Sequence, residues 1–156
     1  MRYSDRILKT PSSFIRDILK VTEDPSVISF AGGLPNPISF PEEALKESAC
    51  RIIDEFHGKV FQYSTTNGYA PLRQYIADKY NKNFGLNYTA DNVLITTGSQ
   101  QALDLMAKIL LNKGDGVIIE EPGYLGAIQA FMMFEPEFYP VTLEHEGLKL
   151  DELEAA

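Results

Sequence analysis

Apolar residues recur along this chain at two spacings, one helical and one extended. Ile15, Ile18 and Leu19 share a helical face after Pro11, with Ser12 or Ser13 as cap, so a short helix is predicted there. Pro25 breaks it. Val27–Phe30 is a short extended run, and Ala31 to Phe40, with Gly32, Gly33, Pro35 and Pro37, is a loop. Pro41 fits the first position of a second helix, with Glu42 and Glu43 favourable at its positive end. Leu45, Ala49, Ile52, Ile53 and Phe56 line one face of that helix, and Gly58 is its expected stop. Pro71 opens a third helix with Leu72, Ile76 and Tyr80 at helical spacing and Gly85 near its end. A βαβ-like unit is then predicted: strand 93–97, helix 99–112 capped by Gly114, strand 117–120. A helix over 124–133 and a strand over 138–143 follow, and Asp151 and Glu154 have capping-box spacing.

Alternating helices and strands argue an α/β domain with a largely parallel sheet. Composition does not change that picture. The 156 residues are 44% hydrophobic and 23% charged, enough for one domain with a core. Lys and Arg number 14 against 22 Asp and Glu, which argues against the basic face a nucleic-acid binder needs. The single cysteine, Cys50, excludes an internal disulfide, and its place in the second helix reads as a small core residue. No stretch reaches membrane-spanning length and Met1 to Thr10 has no apolar signal core, so the expectation is a cytoplasmic protein without a membrane partner. His57 and His145 lack ligand-like spacing, so no metal site is expected.

The chemistry concentrates in Val93-Leu94-Ile95-Thr96-Thr97-Gly98-Ser99-Gln100-Gln101-Ala102-Leu103. A β-favouring run meets a glycine turn and then a helix start. Ser99 and Gln100 fall where helix N–H groups lack carbonyl partners, at the positive end of the dipole. That arrangement holds a phosphate through the backbone, and Gly98 allows its close approach. The plainer reading is an ordinary strand-to-helix turn with Ser99 as the cap. Downstream, after Val117, Ile118 and Ile119, comes Glu121-Pro122-Gly123-Tyr124-Leu125-Gly126-Ala127. A tyrosine on that loop can cover a planar ligand held by its phosphate; the alternative is a core tyrosine at a loop edge.

Together these segments resemble the pyridoxal-phosphate enzymes of the aspartate-aminotransferase fold type, fold type I. Within them the likeness is to the subgroup of 2-aminoadipate and kynurenine aminotransferases. Ile28-Ser29-Phe30-Ala31-Gly32-Gly33-Leu34-Pro35-Asn36-Pro37 resembles that subgroup's glycine-rich segment. Gln62-Tyr63-Ser64 and Asn67-Gly68-Tyr69-Ala70-Pro71-Leu72-Arg73 resemble its next block. The likeness runs from about Pro11 to about Gln129, in the family's order.

The resemblance implies a three-layer αβα large domain with an incomplete, mostly parallel sheet over 41–156, preceded by an N-terminal helical arm and small-domain segment over 1–40. It implies pyridoxal 5'-phosphate as cofactor, with Gly98, Ser99 and Gln100 on its phosphate and Tyr124 stacked on its ring. Tyr63 matches a tyrosine that reaches the cofactor phosphate of the neighbouring subunit, which implies a homodimer; alternatively it packs locally on Phe61. Gly33 and Gly32 match the loop beside the substrate, though Gly32 serves equally as a turn. Arg16 and Ser13 match residues of a mobile helix that meets the substrate side chain, a surface arginine being the alternative for Arg16. The implied reaction moves an amino group from an amino acid to a 2-oxo acid, commonly 2-oxoglutarate. The same cofactor also serves lyases and decarboxylases of this fold type. Regulators with an aminotransferase-like effector domain resemble the subgroup too, but carry a basic winged-helix segment in front. A nucleotide-binding module is disfavoured, because neither G-x-x-x-x-G-K-[ST] nor G-x-G-x-x-G occurs after a strand.

The family's members are more than twice as long, and their Schiff-base lysine has no match here; Lys108 and Lys113 read as solvated. The chain therefore reads as an N-terminal fragment with no catalytic residue of its own, inactive alone. In the family, strands from later in the sequence separate the first strand from the second. A fragment of this kind is expected to have exposed strand edges and to fold poorly or be ordered only in part.

Overall fold

The computed structural model describes residues 2–9, 20, 24, 26–30 and 33–156. The helix predicted over 11–19, with Ser13 and Arg16, lies outside the described residues, as does Gly32. The chain divides into two compact units, Ser12–Leu72 and a second formed by Met1–Pro11 with Arg73–Ala156.

In the first unit, Asn36 caps a 3-10 turn over Pro37–Ser39 by accepting the Ile38 amide at 3.1 Å. Helix α2 spans Glu42–Phe56, following the five-residue α1, Asp5–Lys9, of the other unit. Its acidic first turn complements the helix dipole. Two expectations fail here. The helix ends at His57, which itself takes a positive φ of 52°, so Gly58 falls inside the next 3-10 turn, His57–Phe61. Cys50 is exposed, and Leu45, Ile52, Ile53 and Phe56 are all at least partly open. The apolar stripe exists, but no described residue covers it.

Helix α3 (Ala70–Phe84) enters the second unit at Arg73; it turns inward through Arg73 and Ala77, while Leu72 and Tyr80 stay exposed. The buried face is therefore one residue out of step with the predicted one. Packing against the backbone at residue 90 selects it: the Arg73 guanidinium donates from Nη1 to the Ala90 carbonyl at 2.7 Å. Gly85 ends the helix as expected, with φ of 66° and its amide on the Asn81 carbonyl. The Asn81 side chain grips both backbone groups of Tyr88, at 2.6 and 2.8 Å. A capping box at Thr89 and Asn92 closes the 3-10 turn Ala90–Asn92. These contacts set the path of the chain into residues 93–97.

The strand predicted over 93–97 is not one. Val93 has extended dihedrals (φ −119°, ψ 126°), but none of residues 93–96 joins a ladder among the described residues. β-propensity sets dihedral angles; a strand also needs a partner's N–H and C=O groups. The βαβ unit instead begins one step later. Helix α4 (Gly98–Leu110) leads to β1 (Gly116–Glu121), then α5 (Leu125–Met132), then β2 (Glu137–Glu144). β1 and β2 are parallel, in register from Gly116 opposite Glu137 to Glu121 opposite Thr142. β3 (Gly147–Leu148) returns antiparallel to β2, in the order β1-β2-β3. Gly114 does not cap α4, whose C-cap is Leu111; at φ 85° it shapes the following turn and donates to the Glu135 carbonyl. Val141, Ala77, Ala107 and Ala130 are buried, one each from β2, α3, α4 and α5. Leu94, Ile109, Leu110 and Ile118 remain exposed.

Helix α6 (Leu150–Ala155) starts at Lys149, so Asp151 lies within it and the expected Asp151–Glu154 box does not form. Glu152 does the fastening. Its carboxylate takes the Lys149 ammonium at 2.7 Å and the Thr142 amide of β2 at 2.9 Å. The Lys149 bond first, and the Thr142 amide next, hold this carboxyl down at about 2, well below its ordinary 4.5. Because the folded value is depressed, the attachment is complete above pH 4.5 and is lost as pH falls toward 2. Protection of the Thr142 amide, relative to its intrinsic exchange rate at each pH, should fall across that window, and Glu152→Gln should lower it at neutral pH by roughly threefold or more. Unchanged protection in both experiments would disprove the fastening.

The turn from β1 into α5 is equally specific. Glu121–Pro122 is cis, and a Cβ on Gly123 would stand 2.5 Å from the Glu120 carbonyl oxygen. Backbone cannot retreat as a side chain can. Gly123→Ala should therefore lower stability by about 1–3 kcal/mol in urea unfolding. Gly58→Ala, where nothing lies within 4 Å, should cost much less.

Candidate cofactor site

Two chain turns meet at the carboxyl ends of residues 93–96 and of β1, where α/β proteins characteristically place their ligands. The first is the start of α4. Thr97 is the N-cap, Gly98 has φ of 76°, and Ser99 and Gln100 complete the first turn. Ser99 is therefore not the cap of the plainer reading. It sits two residues inside, where an α-helix has no carbonyl of its own to offer its amide. The Thr97 hydroxyl makes no capping bond. Instead Gln101 reaches back and accepts the Thr97 amide on Oε1 at 2.6 Å, while the Thr96 hydroxyl donates to the Gly98 carbonyl at 3.1 Å. The turn is thus held from its flanks, and Ser99 and Gln100 face outward, both exposed.

The second turn carries Tyr124, 62% exposed, which precedes α5 as its N-cap residue. Its ring folds over Gly126. A Cβ there would lie 2.7 Å from both Cζ and the phenolic oxygen. A core position for Tyr124 is ruled out by its exposure. One hydrogen bond joins the two turns directly: Gln100 Nε2 donates to the Gly126 carbonyl at 3.0 Å. Gly98, Ser99, Gln100 and Tyr124 are thereby brought together. Neutral donors at a helix start and an exposed aromatic face are a donor set suited to a planar molecule bearing a phosphate.

Tyr63 and Gly33 belong to the other unit. Tyr63 is 97% exposed and Phe61 76%, so neither covers the other; the Tyr63 amide donates to its neighbour Gln62 Oε1. Gly33 has φ of 60° and is exposed, a conformation that favours glycine. No group of three or more acidic, His or Cys residues suited to a metal occurs among the described residues. Nor is any of their helices long and apolar enough to cross a membrane.

Sequence reasoning did not find the roles of the Gln101 and Thr96 side chains or of the Gly126 carbonyl. Capping-box spacing from Thr97 points to Gln100 as the residue that reaches back. The structure gives that task to Gln101 and sends the Gln100 side chain elsewhere. Capping-box spacing therefore selects the wrong one of the two adjacent glutamines.

Comparison with known proteins gives this geometry a context. The family of class I and II aminotransferases matches residues 36–156. The 2-aminoadipate transaminase of Thermus thermophilus is 48% identical over 92% of this chain and 34% of its own length. The kynurenine aminotransferase of Pyrococcus horikoshii, solved with PMP, KYN as substrates and KYA as products, aligns at a TM-score of 0.89 with 42% identity, over 98% of this chain and 38% of that one. The α-aminoadipate aminotransferase LysN of Thermus thermophilus, complexed with N-(5'-phosphopyridoxyl)-L-leucine, aligns at 0.83 with 44% identity, over 98% and 36%. The chain spans about a third of the length of the curated relatives it matches. Matched over most of its residues and folded like solved members, the chain belongs to the class I and II aminotransferases, in the aspartate-aminotransferase fold.

Proposed function

We propose that this chain supplies the phosphate turn and ring platform of a pyridoxal-phosphate-dependent aminotransferase, with residues 41–156 contributing to its cofactor-binding large domain. The observation that carries the reading is the Gln100–Gly126 bond, which joins the helix start bearing the Ser99 and Gln100 amides to the turn bearing Tyr124. When bound, the cofactor supplies an electron-withdrawing ring that stabilises negative charge at the substrate α-carbon. The amides of Ser99 and Gln100 and the Ser99 hydroxyl hold the phosphate with neutral donors, and so without adding an acid or nucleophile beside it. Gly98 keeps that approach clear of a Cβ. Tyr124 lies against the ring, sets its tilt and excludes water from one face.

The remaining assignments rest on the family likeness. Tyr63 donates its phenol to the phosphate held by a second copy, so the enzyme works as a homodimer. Gly32 and Gly33 pass close to the substrate, and Ser13 and Arg16 meet its side chain, Arg16 suiting a distal carboxylate through its planar fork. Relatives named for 2-aminoadipate, kynurenine and aromatic amino acids support donors of those kinds; 2-oxoglutarate as acceptor and a cytoplasmic setting are our expectation from the family likeness. No lysine of this chain matches the family's nucleophile, so these 156 residues alone do not transfer amino groups.

Equilibrium dialysis tests the reading. The chain should retain pyridoxal phosphate, and inorganic phosphate should compete for it. Tyr124→Ala should weaken retention of pyridoxal phosphate by about tenfold, in keeping with the loss of a stacked ring. Retention indifferent to both phosphate and Tyr124 would overturn the assignment.

A further inference from the structure

Adjacent glutamines at a helix start invite one role for both, yet their side chains part company. Gln101 turns back to the Thr97 amide and closes the phosphate turn. Gln100 crosses to a carbonyl 26 residues further along the chain, at 3.0 Å. That carbonyl belongs to Gly126, over which the Tyr124 ring is folded: a Cβ there would stand 2.7 Å from Cζ and the phenolic oxygen, and the ring would have to swing aside to admit it. The path from Gln100 Nε2 to the Gly126 carbonyl to the Tyr124 ring is thus short and each step is steric or hydrogen-bonded. Tyr124 itself is mostly exposed, and as N-cap of α5 its side chain makes no capping bond. Its placement therefore leans on Gly126.

Resting on the reading above, we propose that the Gln100 side chain is a positioning residue for Tyr124. Its amide nitrogen on the Gly126 carbonyl sets the distance between the phosphate turn and the aromatic platform, and so the site's fit to a ring and phosphate joined by a short link. The residue then has two separable parts. Its backbone amide serves the anion and survives any substitution but proline; its side chain serves the ring. Gln100→Met keeps the length, the helix and the backbone amide, and removes the side-chain carboxamide with its donor.

Three measurements on the full chain decide this. By dialysis, Gln100→Met should weaken pyridoxal phosphate retention by about fivefold while inorganic phosphate affinity stays within about twofold. In a Tyr124→Ala background the same substitution should add less than about twofold, because its partner in the effect is already gone. Without any ligand, amide exchange over Tyr124–Ala127 should accelerate by about fivefold, with Val117–Glu120 unchanged. Gln101→Met, which opens the turn itself, should instead weaken phosphate and pyridoxal phosphate alike. Equal losses of both ligands in Gln100→Met, additivity with Tyr124→Ala, or unaltered exchange would each overturn the proposal. Should the parent chain retain neither ligand, the cofactor reading falls while the exchange experiment still decides the link.

Discussion

Parallel pairing of β1 with β2 imposes the constraint from which the site follows. Two parallel strands cannot be joined by a hairpin; the chain must leave the end of the first, cross the sheet and return. Here the departure falls at Glu121, and α5 makes the crossing between the paired segments. The connection between strand and helix is only three residues long, Pro122 to Tyr124. Tyr124 is therefore held at the carboxyl end of β1 by the topology, before any contact of its own. Gly123 makes the turn possible because the Glu120 carbonyl occupies the space of its missing Cβ.

The start of α4 adds the second half of the site. A helix exposes its first amides whatever its sequence. What is particular here is how they are left available. Thr97 could have capped the helix with its hydroxyl and does not; Gln101 satisfies the Thr97 amide from within the helix instead. Gln100 is then at liberty to bind the other turn. The net charge of −8 gives the chain as a whole no attraction for anions; at the start of α4 the helix dipole and its first amides are the local positive end.

Apolar exposure is the structure's other prominent feature. The residues buried in the second unit are small, three alanines and a valine beside Arg73, whereas larger side chains on α4 and β1 stay open. The Arg73 guanidinium shows why that core is polar at its edge. It ties α3 to the Ala90 carbonyl and lies near Asp91, although its Nε finds no partner. A buried arginine thus orders the approach to residues 93–97, where hydrogen bonding to a neighbouring strand does not.

The positions of α2 to α5, both strands of the parallel pair and the turns at Gly98 and Gly123 were legible in the sequence, because glycine, proline and the period of apolar residues act locally. The turn at Gly98, to which we assign a phosphate, was recognisable as a turn for the same reason: Gly98, with φ of 76°, marks where the backbone bends. Residues 93–97 were misread as a strand because extended dihedrals are a property of the segment, whereas a ladder is a property of two. Gly58 was misread as a helix stop because His57 accepted the left-handed conformation itself. The apolar stripe of α2 was plain in the sequence, but what covers a stripe depends on which elements meet it. Only the folded chain could decide that Gln100 rather than Gln101 crosses to Gly126, since the choice depends on the distance between turns separated by a strand and a helix.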